Sequence, residues 1–221
     1  MVQPLPEDIA ADPSVQVYME GGMAERPTLA VAFAEATEAC AMLESAAGLL
    51  YLALNRHRPQ AAFEDLSGTH GYLERSKIVR KKAKKLADPI DRALALASID
   101  SGARAEQQRA QISQGLWGYT DALPDSVLLR SPERDLFNLA QQLNLRLGKP
   151  AKEAPGSNGL MVFGLNDFKA VEAAASLASA TFEMTSSYLI IDDPEEKNSV
   201  LAKLLSKPTT VADFAERIRQ S

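Results

Sequence analysis

The sequence predicts an all-α protein, a helical bundle of about seven helices with two long, heptad-patterned, Ala-rich members and an extended N-terminal arm. Three observations carry that prediction. Alanine is abundant beside Leu, Glu, Gln, Lys and Arg, all residues that lose little entropy in a helix. Two long seams repeat apolar residues at alternating spacings of three and four. Proline follows Asp or Ser at several points where a new helix is due to start.

Residues 1–27 contain Pro4, Pro6, Pro13, Gly21, Gly22 and Pro27 with no sustained periodicity, which reads as an extended arm suited to contacts with protein partners. A helical bundle domain is expected over 28–148, a linker over 149–159, and C-terminal helices over 160–221 packed on the same core. The first seam starts with Pro27 as the first helical residue. It runs through Leu29, Phe33, Ala36, Cys40, Leu43, Ala47, Leu50 and Leu54, beside a methyl stripe of Ala32, Ala39, Ala46 and Ala53. This helix should end near Asn55, before Pro59.

A basic helix follows over about 71–87. Asp88 and Pro89 restart the chain as N-cap and first helical residue of a helix to about 116, loosened at Ser101 and Gly102 and ending in a GLWGY loop. Ser131 and Pro132 open another, closed by Gly148. The segment GLMVFGL reads as a brief extended stretch, too short and too glycine-bounded to belong to a sheet. Asn166 is the expected N-cap of the second seam, Phe168, Val171, Ala175, Ala178, Phe182, Thr185 and Leu189, and this helix is the first choice of neighbour for the 28–54 helix. Asp193, Pro194 and Glu196 form a capping pattern for a helix to about Ser206. Thr210 caps a last one through Arg219, with Val211, Phe214, Ala215 and Ile218 on one face.

The acidic, proline-containing start has no basic segment followed by an apolar one, so a cytoplasmic location is expected. The apolar run at 45–54 is too short to span a bilayer and is preceded by Glu44, Glu38 and Glu35, so no membrane role is expected. The single cysteine, Cys40, excludes an internal disulfide and lies on an apolar seam, where burial is its expected role.

Charge is the feature with chemical content. Residues 1–70 hold three Lys or Arg against ten Asp or Glu, whereas residues 71–112 hold ten against five, in a chain of formal net charge −5. Seven of the eleven residues in RSKIVRKKAKK, 75–85, are cations. At 100° per residue, Lys77, Arg80, Lys81, Lys84 and Lys85 share an arc of about 140°, with Tyr72, Ile78, Val79, Ala83 and Leu86 opposite. One continuous cationic face on a mildly acidic molecule suits local binding of a polyanion, contacting phosphates without reading bases. The five residues are the expected nucleic-acid-binding set. Neutralisation by the acidic first seventy residues is the competing expectation, and Lys84 and Lys85 would in either case meet the favourable end of the helix dipole. Tyr72, Trp117 and Tyr119 are candidate stacking platforms beside that face.

No catalytic residue, cofactor or metal is assigned. His57 stands at a helix exit and His70 in a loop. Ser67 or Thr69 with His70 is too close in sequence to orient as nucleophile and base. The carboxylates Asp192, Asp193, Glu195 and Glu196 lack calcium-loop spacing and are explained by helix capping. No P-loop or dinucleotide fingerprint occurs, and PGSNGLMVFG lacks a phosphate-loop lysine. The leading expectation is a non-catalytic subunit of a larger assembly that holds nucleic-acid backbone on the basic face. Its alternatives are a protein scaffold or oligomerising adaptor that docks an acidic protein surface, and an enzyme whose site assembles only on folding.

Overall fold

In the computed structural model, which describes residues 2–150, 159–206, 214–216 and 218 and gives the backbone alone at 132–135 and 138, most of the described residues are helical. The helices are α1 (Glu7–Ala11), α2 (Gly22–Glu25), α3 (Pro27–Leu54), α4 (Pro59–Ser67), α5 (Tyr72–Ala83), α6 (Pro89–Ser113), α7 (Pro132–Arg146), α8 (Leu165–Ile190) and α9 (Pro194–Leu205). Four short strands accompany them: β1 (Gln3–Pro4), β2 (Leu116–Gly118), β3 (Ser126–Arg130) and β4 (Leu160–Gly164). The protein is mostly helical, as its composition requires. Six of the seven expected helices are α3 and α5 to α9, while α1, α2 and α4 are additional and short. Of the expected helix from Thr210 through Arg219 only 214–216 and 218 are described, all helical, and most of the stretch 149–159 lies outside the described residues.

Local signals set most helix starts. Asp88 Oδ1 accepts the N–H groups of Ile90 and Asp91 at 2.8 and 2.9 Å, and Asp193 Oδ1 accepts that of Glu196 at 2.8 Å, satisfying donors that the first turn leaves without partners. Gly148, at φ 67°, closes α7 with the Lys149 N–H donating to the Asn144 carbonyl at 2.9 Å. Asn166 is not a cap, because α8 already starts at Leu165; Asp167 Oδ2 accepts the Gly164 N–H at 3.0 Å. The basic helix stops at Ala83, four residues short of expectation, in a turn where the Lys85 N–H donates to the Lys82 carbonyl.

The chain divides into two compact units, Met1–Glu35 with Ala110–Ala170, and Ala36–Arg109 with Val171–Ser221. Helices α3, α6 and α8 each contribute residues to both.

The first unit holds an antiparallel sheet of order β1-β4-β3-β2. The expectations of a GLWGY loop and of a non-sheet GLMVFGL segment are therefore corrected. β4 pairs along its length with β3, Leu160 opposite Arg130 through Gly164 opposite Ser126, and with Gln3 and Pro4 on its other side. The partners are remote in sequence, so seven residues between glycines carried no trace of them. Val127, Leu128 and Leu129 are buried in succession, the pattern of a strand covered on both faces. Phe33, Trp117, Phe163 and Phe168 pack as one aromatic cluster, with ring centroids 5.1 to 5.9 Å apart. Through Phe33 and Phe168, the two long seam helices meet here.

In the second unit, Leu43, Leu50, Val79, Leu94, Ile99, Phe182 and Leu204 form a fully buried core. Tyr72 is buried among them and donates its hydroxyl to the Ile99 carbonyl at 2.7 Å. Ser98 and Thr185 satisfy one another at 2.9 Å between α6 and α8. Helix α3 is long and apolar enough to cross a membrane, yet its seam residues Ala36, Cys40, Leu43, Ala47 and Leu50 are buried in the protein. Burial pushes the Cys40 thiol up to about 11, so the sulfur stays protonated at neutral pH and is a poor nucleophile.

Gly102 does not loosen α6. A Cβ there would lie 2.3 Å from the Tyr72 hydroxyl oxygen and 2.8 Å from Phe182 Cε2, so glycine lets two rings reach the helix backbone. Gly102→Ala is expected to lower the urea midpoint of unfolding. Overpacking of about 1–3 kcal/mol outweighs the gain of about 1 kcal/mol that alanine brings to a helix interior.

Candidate polyanion interface

Helix α5 is amphipathic, and its apolar side is anchored: Tyr72, Val79 and Ala83 are buried. The seven cations of 75–85 then part company. Arg75 belongs to the fold. Its Nε lies 3.3 Å from Glu44 Oε1 and its Nη1 donates to the Glu44 carbonyl, while the same carboxylate accepts the Gly71 N–H at 2.9 Å. Here an acid from the first seventy residues does neutralise the basic helix.

Lys77 donates to Glu74 at 2.6 Å within its own helix, on the open surface, where the pair is readily exchanged for another anion. Arg80 is different. Its Nη2 donates to Asp100 Oδ1 of α6 at 2.7 Å, with both side chains more than half covered. That bond ties α5 to α6, so the Arg80 charge is already committed.

Lys81, Lys84 and Lys85 are exposed, and among the described residues none has an ion-pair partner; Lys82 also lacks one but is partly covered. Lys84 is the C-cap and Lys85 follows in the terminal turn, beside the negative end of the helix dipole. Of the five residues expected to bind nucleic acid, the structure leaves three as open charges, one loosely paired and one built into a helix contact. Sequence phase put all five on one side of the helix, but only the neighbouring α6 reveals that Asp100 takes Arg80.

The continuation of this face is limited. Arg92 donates to the Leu86 carbonyl at 3.0 Å, bracing the turn after α5, and Arg109 makes two bonds to Glu106 at 2.8 and 2.6 Å that push its pKa further up. The suggested stacking platforms do not assemble here. Tyr72 is buried, Trp117 belongs to the aromatic cluster, and Tyr119 stacks on Tyr18 at 4.9 Å with Arg26 over its ring.

The remaining candidates have structural employment. Ser67 Oγ and Thr69 Oγ1 donate to the Glu64 and Leu66 carbonyls, finishing α4. His57 and His70 are both exposed. Asp192 pairs with Arg56 at 2.8 Å, and Asp193 caps α9. Among the described residues, no group of three or more His, Cys, Asp or Glu is arranged to hold a metal ion.

Fold and site together define a class: a mostly helical protein with a small antiparallel sheet and one anchored helix that ends in open lysines. Compared with protein-family models, curated proteins and solved structures, the chain matches none of them.

Proposed function

We propose that this protein is a non-catalytic component of a larger assembly that holds nucleic-acid backbone on the C-terminal end of α5. One observation carries the reading. In a chain of net charge −5, Lys81, Lys84 and Lys85 stand exposed, with no ion-pair partner among the described residues, at the C-terminal end of a helix whose opposite side is fixed in the core. An anchored helix and the turn that closes it hold these lysines without first having to fold, so less ordering entropy opposes binding than for a basic tail. Such lysines contact phosphate oxygens and release counterions, which gives affinity without base readout.

Fluorescence anisotropy with labelled single-stranded and duplex oligonucleotides tests this. With three phosphate contacts, raising salt from about 50 to 200 mM should weaken duplex binding about 40-fold. Absence of binding at the lower salt would refute the proposal. Binding competed away by polyglutamate as well as by DNA would instead assign the face to an acidic protein.

A further inference from the structure

The lysines of α5 form a short row, and the row has ends. By helical geometry Lys77, Lys81 and Lys84 fall within about 60° of arc and climb the axis in steps of about 6 and 4.5 Å. Lys84 keeps helical dihedral angles, at φ −59° and ψ −19°, so it holds that phase, and Lys85 follows in the closing turn with its N–H on the Lys82 carbonyl. A single file of cations meets one strand of phosphates. The arginines of this region do not widen it, because Arg75 is bound to Glu44, Arg80 to Asp100 and Arg92 to the Leu86 carbonyl. One turn before Lys77, on the same side of the helix, stands Leu73, 58% exposed, where a longer track would need a cation. Next to it is the exposed Glu74, and past Lys85 the next charged side chain is the exposed carboxylate of Asp88.

Resting on the nucleic-acid reading of α5, we propose that this face grips one strand over three or four consecutive phosphates, one for each of Lys81, Lys84 and Lys85 and a fourth for Lys77, and takes that strand single in preference to paired. Stiffness decides between the two forms. A duplex is straight over the length of α5, since its persistence length is about 50 nm, so it must run on past the row toward Glu74 or Asp88. It also brings a second strand of charge that a single file of lysines leaves unneutralised. An unpaired strand turns away after its last contacted phosphate, and so avoids both carboxylates.

Fluorescence anisotropy of the full chain over a salt series tests it, with oligothymidylates of two, five, ten and twenty nucleotides and a duplex of twenty base pairs. The slope of log K against log salt should steepen from two nucleotides to five, reach a value between about −2 and about −3, and stay there at ten and twenty. Further length only multiplies the registers available, which raises affinity without changing the slope. At about 50 mM salt the single strand of twenty should bind severalfold more tightly than the duplex. Leu73→Lys should lengthen the track, steepening the slope for ten nucleotides by about 0.7 and leaving that for two unchanged. A slope that goes on steepening from five nucleotides to twenty overturns the short track, and an L73K slope equal to that of the wild type overturns its course along α5. A duplex bound as tightly as the single strand overturns the preference. Each of these three results leaves the nucleic-acid reading in place, whereas binding of no oligonucleotide at about 50 mM salt removes that reading and the proposal with it.

Discussion

Charge reversal at Lys81, Lys84 and Lys85 together is expected to abolish oligonucleotide binding at about 50 mM salt while lowering stability by only about 1 kcal/mol, through the lost helix-dipole interaction of Lys84 and Lys85. All three side chains are exposed and, among the described residues, have no ion-pair partner, so their replacement breaks no ion pair and leaves no buried charge behind. The Arg80→Ala variant should do the opposite. Loss of its 2.7 Å bond to Asp100 removes a charge-assisted tie between α5 and α6, at a cost of about 1.5 kcal/mol, yet the salt dependence of binding should hardly change. Lys77→Ala should reduce the salt slope slightly, because its pairing with Glu74 is exposed and competes only weakly with phosphate. Anisotropy titrations over a salt series, with urea denaturation of the same samples, separate these effects. If Arg80→Ala removes binding as completely as the triple reversal does, the division between structural and open cations on α5 is wrong.

Phe182→Ala is expected to have the largest effect on stability, about 3–5 kcal/mol, because a fully buried ring is deleted from a core that relaxes only in part. Phe182 meets Tyr72 edge to face, with centroids 6.2 Å apart, and both rings close on Gly102 of α6. The cavity would therefore open where α5, α6 and α8 converge. Urea denaturation followed by far-UV circular dichroism measures the loss. A double-mutant cycle sharpens it: Gly102→Ala should cost less in the Phe182→Ala background, since one of the two crowding rings is gone and the other has room to move. Strict additivity would show that the overlap at Gly102 is relieved elsewhere.

Much of the helical architecture was legible in the sequence because its signals are local. Pro27, the Asp88-Pro89 and Asp193-Pro194 pairs, and Gly148 act on chain conformation and on N–H and C=O groups within a turn of themselves, so they mark helix ends wherever the rest of the chain lies. The seam positions Leu29, Ala36, Cys40, Leu43, Ala47 and Leu50 are buried for a similar reason, since one apolar face of a helix has to be covered by something. Helix α4 was missed because Pro59 was read only as a stop for α3 and not as the first residue of the next helix. The early end of α5 was missed because cations suit a helix interior and a helix exit equally well.

The sequence by itself determined that this chain is helical, where most of its long helices start and stop, and that one of them has a cationic side. Periodicity and capping suffice for that, because their energetics are contained within a few residues. Only the tertiary structure decided that Leu160–Gly164 is a central strand, since its hydrogen-bond partners come from 126–130 and 3–4. Only it decided which cations of RSKIVRKKAKK are open. Glu44 and Asp100 reach Arg75 and Arg80 from other helices, and nothing in the spacing of a basic run records which carboxylates the fold will bring beside it.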